Sequence, residues 1–240
     1  LGHTYAHALE SFFAYKVYTH GEAVAKGIIF DLELSLLRGQ IDEAYLERAR
    51  NIFNLFNIDT DLIYLDSDKF IPLMGKDKKN SFNKIITIIL DAQGNLSKTE
   101  VKEDEIIKII AKYKNNFLRV SIDIGTNSCR LFIAEVKEID NEIIFKKEIH
   151  KDLEIVKLGE DVNKNKFLKE EAIERTLKCL KKYRELIDEY SIEEKDIICF
   201  ATSATRDSTN RDYFIKKVYD ETKIKINCIS GDKEAYINFK

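Results

Sequence analysis

Apolar residues in the first quarter of the chain recur at helical spacing. From His20 to Leu37, Ala23, Val24, Gly27, Ile28, Phe30, Leu34 and Leu37 trace one broad stripe, the periodicity of a helix with a buried face. Ile41 to Phe56 repeats it through Ala44, Leu46, Ala49, Ile52 and Phe53, after a helix stop at Arg38-Gly39. Residues 4 to 57 therefore read as helices. Lys84 to Leu90 reads as a short strand, Asp91 to Gly94 as a turn and Glu103 to Lys114 as a closing helix, so this half is mainly α.

The period then changes. Leu118 to Ile124, Arg130 to Val136 and Glu142 to Ile149 read as strands, the last two joined by a polar turn at Asp140-Asn141. Lys169 to Tyr190 is an amphipathic helix with Ala172, Ile173, Leu177, Leu180, Tyr183 and Leu186 on one face. Strand at Asp196 to Ala201, helix at Arg211 to Tyr219 and strand at Lys223 to Ile229 follow. Three strands, then helix, strand, helix and strand, predict an α/β layer fold. The halves meet near Asn115-Asn116 without a Pro/Gly/Ser spacer, which gives expected domains of 1–116 and 117–240.

Composition narrows the function classes. Of 240 residues 44% are hydrophobic, enough for two packed cores. A net charge of -3, from 39 basic and 42 acidic residues, gives no reason to expect nucleic acid or an anionic membrane as partner. Apolar runs such as Ile85 to Leu90 are too short to span a bilayer. Cys129, Cys179, Cys199 and Cys228 form no Cys-x-x-Cys pair and read as reduced, mostly buried thiols, as in a cytoplasmic protein. The first residue is Leu1, inside a motif, so the chain is expected to be a piece of something longer.

Two sets of chemistry-bearing residues stand out. His3 and His7 lie four apart, on one face of a helix, and His20 opens the next helix. Such imidazoles either hold a divalent metal with a carboxylate or are two partly buried helix histidines and a capping histidine. In the second half, apolar residues lead into Asp123, then Gly125, Thr126, Asn127 and Ser128. That turn either presents N–H groups and hydroxyls to a phosphate, with the aspartate holding a metal, or is an ordinary hairpin turn.

The surrounding residues add a family resemblance to each. Gly2-His3-Thr4-Tyr5-Ala6-His7-Ala8-Leu9-Glu10, His20-Gly21-Glu22-Ala23-Val24-Ala25 and Met74-Gly75-Lys76-Asp77-Lys78-Lys79-Asn80 closely resemble the C-terminal domain of 3-dehydroquinate synthase, over roughly residues 1 to 114. The resemblance implies a lyase of the shikimate pathway that uses zinc (or cobalt) and NAD on a keto-sugar phosphate. It matches His3 and His20 to zinc ligands, His7 to a histidine near the substrate phosphate, and Lys78 (or Lys79) to a substrate-binding lysine. The third zinc ligand, a glutamate, and the NAD domain lie upstream in that family, so neither Glu10 nor Glu22 is assigned as ligand and no residue is assigned to NAD.

Residues 117 to 240 resemble the exopolyphosphatase and guanosine pentaphosphatase (Ppx/GppA) family. The resemblance is carried by the Asp123–Ser128 stretch, Leu158-Gly159-Glu160, Ala201-Thr202-Ser203-Ala204-Thr205-Arg206-Asp207 and Ile229-Ser230-Gly231-Asp232-Lys233-Glu234-Ala235. It implies an actin-like ATPase (ribonuclease H-like) half-domain and magnesium-dependent hydrolysis of phosphoanhydride bonds in polyphosphate or guanosine pentaphosphate. Glu234 matches the water-activating glutamate and Arg206 a phosphate-contacting arginine, while Asp123, Gly125, Thr126, Asn127 and Ser128 match the first phosphate loop. Lys233 stands where the family often has an acid.

The chain is thus expected to be a piece of a fused, homodimeric cytoplasmic enzyme, inactive alone and poorly soluble. The alternatives are a non-catalytic remnant that binds metal or phosphate weakly, and an actin-fold ATPase or sugar kinase for the second half.

Overall fold

The computed structural model describes residues 1–75 and 84–229. The chain divides into two compact units, Leu1–Phe117 with the hairpin tip Lys137–Glu142, and Leu118–Val136 with the residues from Ile143 onward.

The first unit runs α1 (His3–Phe12), α2 (His20–Leu37), α3 (Glu43–Leu55), α4 (Ser67–Gly75), the hairpin β1 (Ile85–Leu90) and β2 (Leu96–Val101), then α5 (Glu103–Ala111). Helix α2 is central, packed against α1, α3, α5 and β1. A capping box starts it. Glu22 N–H donates to Thr19 Oγ1 at 3.3 Å, and Thr19 N–H donates to the Glu22 carboxylate at 2.8 Å. In the core Tyr5 stacks on Phe30 and meets Phe70 at a tilt, with ring centroids 4.8 and 5.1 Å away.

The expected helical run from 4 to 57 is broken between Phe12 and His20, where Ala14 and Tyr15 take positive φ of 49° and 60°. Two further elements depart from the expectation. Helix α4 holds the only proline, Pro72, mid-helix, and packs through buried Phe70, Ile71 and Met74. Strand β2 is polar and mostly exposed. It is a strand because it pairs antiparallel with β1, from Ile85↔Val101 to Leu90↔Leu96.

Two close approaches fix how α1 lies on α2. Gly2 sits at φ 81°, a conformation glycine adopts without strain. A Cβ built on Gly27 would meet the Gly2 carbonyl oxygen at 1.9 Å, so α2 accepts α1 only because position 27 has no side chain. The carboxylate of Asp31 is fully buried, one turn further on. It accepts the Gly2 N–H at 2.6 Å and the Thr87 hydroxyl at 2.6 Å. Ser35 Oγ donates to the Asp31 carbonyl at 2.9 Å and accepts the Leu90 N–H at 3.3 Å. One side of α2 thus ties α1 to β1.

The second unit is a five-stranded sheet in the order β5-β4-β3-β6-β7. Its strands are β3 (Asn116–Ile124), β4 (Ser128–Ile139), β5 (Glu142–Ile155), β6 (Ile197–Ala201) and β7 (Ile226–Cys228). The β4–β5 turn is the expected Asp140-Asn141 pair, with φ of 51° and 64°, the two left-handed residues of a tight hairpin turn. Strands β3, β6 and β7 run parallel, in register Ile124↔Ala201↔Cys228 at their C-terminal ends. Between the strands lie α6 (Val162–Asn165), α7 (Glu170–Glu189), α8 (Ser203–Arg206) and α9 (Arg211–Thr222). Helix α7 buries Ala172, Ile173, Leu177, Leu180 and Tyr183 as its periodicity predicts, and packs beside α9. The expected strand from 223 to 229 shortens to β7, and β5 extends beyond its expected end at Ile149. Cys129, Cys179 and Cys199 are buried thiols, and Cys228 is exposed. No helix among the described residues is long and apolar enough to cross a membrane.

Burial pushes the Asp31 carboxyl up to about 6, against the lowering effect of its bonds from Thr87 and Gly2. In the unfolded chain it ionises near pH 4, so as pH rises from about 4 to about 6 the unfolded state gives up its proton first and stability falls, by about 3 kcal/mol in all. Asp31→Asn keeps an oxygen for Gly2 and an N–H₂ for Thr87 without that charge. Urea unfolding against pH is expected to show the difference between variant and wild type moving in favour of the variant over this window. A pH-independent difference would contradict it. Gly27→Ala drives a methyl into the Gly2 carbonyl, and its unfolding free energy is expected to fall by about 1–3 kcal/mol.

Candidate functional sites in the two units

In the first unit the capping box makes His20 the first residue of α2, and α1 passes beside it. The three histidine rings of this unit form one exposed group. Ring centroids are 5.6 Å apart for His3 and His7, 5.7 Å for His3 and His20, and 6.2 Å for His7 and His20. Two of them are anchored through Nδ1. His20 Nδ1 lies 3.1 Å from Glu10 Oε1, and His3 Nδ1 lies 3.1 Å from the Leu1 carbonyl oxygen. An imidazole whose Nδ1 donates to an oxygen keeps its lone pair on Nε2, the form in which histidine binds metal.

Zinc bound to two Nε2 atoms at about 2.0–2.1 Å sets ring centroids about 5 Å apart, close to the spacing of His3 and His20. The nearby carboxylates are both engaged, Glu10 with His20 and Glu22 with Thr19. Among the described residues no group of three or more His, Cys, Asp or Glu is arranged to hold a metal ion. Lys78 and Lys79 lie outside the described residues.

In the second unit the chain leaves β3 at Ile124 and turns tightly, the Gly125 N–H donating to the Ser128 carbonyl at 2.9 Å. Asp123, the next-to-last residue of β3, is half-buried. Burial raises its carboxyl above the ordinary carboxylate range, opposed by Arg130.

Two other segments close on this loop, and a third closes on one of them. After β6, Thr202 N–H donates to the Ile124 carbonyl at 3.2 Å, and Ser203 Oγ comes within 3.2 Å of Thr126 Oγ1. After β7, Ile229 N–H donates to the Ala201 carbonyl at 3.2 Å. Arg206 Nη1 donates to the Ile229 carbonyl at 3.1 Å, and Nε to Asp207 at 3.1 Å. After β5, Gly159 N–H donates to the Thr126 carbonyl at 2.9 Å, while the N–H groups of Val156 and Lys157 converge on the Asn127 carbonyl at 3.0 and 2.9 Å. A Cβ on Gly159 would lie 2.2 Å from the Thr126 methyl and 3.1 Å from Ala204 Cβ, which explains a glycine there.

The sequence-derived residues Asp123, Gly125, Thr126, Asn127, Ser128 and Arg206 thus gather at the C-terminal ends of the parallel strands, where open α/β sheets bind ligands. Ser230 to Ala235, with Glu234, lie outside the described residues, one step beyond Ile229. Sequence reasoning missed Arg175. From α7 it donates Nε to the Val156 carbonyl at 3.0 Å and Nη2 to Glu160 at 3.2 Å. No local spacing signals a contact between a mid-helix arginine and a loop nearly twenty residues upstream.

Comparison with known proteins matches the two ends of the chain to two different families. The model of the 3-dehydroquinate synthase C-terminal domain matches residues 1–80, and that of the Ppx/GppA phosphatase family matches residues 132–240. A bifunctional 3-dehydroquinate synthase/phosphatase of Fusobacterium nucleatum is 87% identical over all 240 residues, and the chain spans 36% of its length. A 3-dehydroquinate synthase of Thermoanaerobacter pseudethanolicus is 38% identical over 109 residues, 45% of this chain and 31% of that protein. Among solved structures, the Aquifex aeolicus Ppx/GppA family member is 32% identical with a TM-score of 0.42, over 49% of this chain and 36% of that one. An exopolyphosphatase of Cytophaga hutchinsonii is 30% identical with a TM-score of 0.43, over 50% and 36%. The mainly helical first half of the chain resembles the C-terminal domain of 3-dehydroquinate synthase, and the α/β second half resembles the Ppx/GppA phosphatases.

Proposed function

We propose that this chain supplies the histidine side of a dehydroquinate synthase site and the first phosphate loop of a phosphoanhydride hydrolase, within a protein that carries both activities. The observation that carries the reading is the convergence of the Asp123–Ser128, Gly159, Ser203–Arg206 and Ile229 segments at one end of a sheet. A loop of this kind meets the needs of phosphoryl transfer, which asks for positioning and charge neutralisation more than covalent help. Since the chain spans 36% of its bifunctional relative, both turnovers are assigned to the whole protein.

In the hydrolase half, Arg206 is the cation for the substrate phosphates, and the backbone N–H groups of the loop are its neutral donors. Asp123 offers a hard carboxylate oxygen, the donor type magnesium takes, and bound magnesium would neutralise charge on the phosphates. Glu234 takes the proton of the attacking water. The substrates are polyphosphate or guanosine pentaphosphate.

In the synthase half, His3 and His20 fit a zinc (or cobalt) ion by their spacing and anchored Nδ1 atoms. Zinc there would act as a Lewis acid on the substrate oxygens. His7, on the same face, sits near the phosphate of the keto-sugar substrate, and Lys78 (or Lys79) supplies a positive charge to a phosphate or carboxylate of that substrate. NAD belongs to residues outside this chain.

Two measurements test this. Zinc titration of the chain is expected to give weak binding that is lost in His3→Ala/His20→Ala, and that falls as pH is lowered and the imidazoles take up protons. Unchanged binding in the double variant would remove the assignment. For the hydrolase, the substitutions are placed at the corresponding positions of the full-length bifunctional relative. Glu234→Gln is expected to lower kcat for magnesium-dependent release of phosphate from polyphosphate by about 10²–10⁴-fold with little change in KM. Arg206→Ala is expected to raise KM as well. Near-normal turnover of Glu234→Gln would exclude the glutamate, and polyphosphate-independent ATP turnover would favour a kinase or ATPase instead.

A further inference from the structure

The phosphate loop is held from behind. The carbonyl of Thr126 accepts the Gly159 N–H, and the carbonyl of Asn127 accepts the N–H groups of both Val156 and Lys157. A trans peptide unit is planar, with its N–H pointing opposite its C=O. Fixing the Thr126 carbonyl toward residue 159 therefore turns the Asn127 N–H the other way. Fixing the Asn127 carbonyl toward residues 156 and 157 does the same to the Ser128 N–H. Donor direction in the loop is set by segment 156–160, which makes no use of side chains to do it.

That segment needs its own anchor. Its backbone is unusual, with Lys157 at φ 48° and Asp161, just past its end, at φ 62°, both left-handed positions that cost a non-glycine residue free energy. Arg175, one turn into α7, spans it. Nε donates to the Val156 carbonyl at 3.0 Å, and Nη2 reaches the Lys157 carbonyl at 3.5 Å and the Glu160 carboxylate at 3.2 Å. The guanidinium thus satisfies the carbonyl side of two residues whose N–H groups hold Asn127. The planar fork suits this task and a single ammonium does not, because Nε and Nη2 serve separate acceptors at once.

We propose that Arg175 is a positioning residue for the phosphate site, acting through segment 156–160 to aim the Asn127 and Ser128 N–H groups. It touches no substrate itself. The proposal rests on the reading of the Gly125–Ser128 turn as a phosphate loop, and the test separates the two.

The chain labelled with ¹⁵N is compared as wild type, Arg175→Lys, Arg175→Ala and Lys217→Ala. The last loses the ion pairs of Lys217 with Glu170 and Glu174 near the same helix, and leaves the segment alone. Hydrogen exchange without ligand reads the clamp directly. In both Arg175 variants the Val156, Lys157 and Gly159 amides are expected to exchange at least tenfold faster, while the buried amides of α7 keep wild-type rates. Lys217→Ala is expected to leave the three amides unchanged.

Titration with tripolyphosphate and magnesium, followed at the Asn127 and Ser128 amides, reads the consequence. Wild type and Lys217→Ala are expected to bind alike, and Arg175→Lys about tenfold more weakly at an unchanged melting temperature. Arg175→Lys keeps the charge and most of the packing, so the comparison stands even where Arg175→Ala fails to fold. Wild-type protection and affinity in Arg175→Lys would overturn the proposal. Accelerated exchange in a chain whose wild type ignores tripolyphosphate would uphold the clamp and sink the phosphate reading instead.

Discussion

The first unit depends on a backbone-to-backbone contact. The carbonyl of Gly2 lies where any side chain at position 27 would have to be, so α1 and α2 approach as closely as main chains can. Everything chemical in this unit is measured from that crossing. It brings His3 at the start of α1 toward His20 at the start of α2, and it delivers the Gly2 N–H to Asp31 in the interior of α2. A buried carboxylate without its charge compensated is costly, and here two short hydrogen bonds offset part of that cost. The pairing of a glycine crossing with a buried acid also makes the geometry specific, because a shifted α1 leaves Asp31 without its donor.

The second unit reaches a comparable result by other means. Its loop is placed by hydrogen bonds from the segments that follow β5 and β6, and almost all of them are main-chain bonds. The first unit presents side chains on a rigid helix pair; the second presents amides on a pinned loop. That contrast fits the two proposed chemistries, one calling for imidazole nitrogens and the other for several N–H donors to an oxyanion.

What was legible in the sequence follows from what each signal encodes. The amphipathic face of α7 and the Asp140-Asn141 turn were readable because burial period and left-handed turn chemistry are local properties. Strand β2 was not, since Leu96-Ser97-Lys98-Thr99-Glu100-Val101 has little hydrophobic pattern of its own and owes its conformation to β1. Helix α4 was hidden by Pro72, which reads as a breaker, although Phe70, Ile71 and Met74 pack well enough to hold the helix. The motif residues themselves were visible, but not their mutual supports. Nothing in the one-dimensional string says that Glu10 braces His20, that Gly159 is a glycine because of the Thr126 methyl, or that Arg175 reaches Val156.

The contact between Thr126 and Ser203 joins residues 77 apart along the chain. The turn at Gly125, by contrast, closes within four residues, inside a hairpin that needs no distant partner. Short loops close faster than long ones, and parallel pairing must wait for its crossover. Local closure therefore favours the Gly125 turn as part of the β3–β4–β5 meander, ahead of the pairing of β6 and β7. The turn is thus the local part of this end of the sheet, while its contacts with Gly159, Thr202 and Ser203 depend on long-range closure.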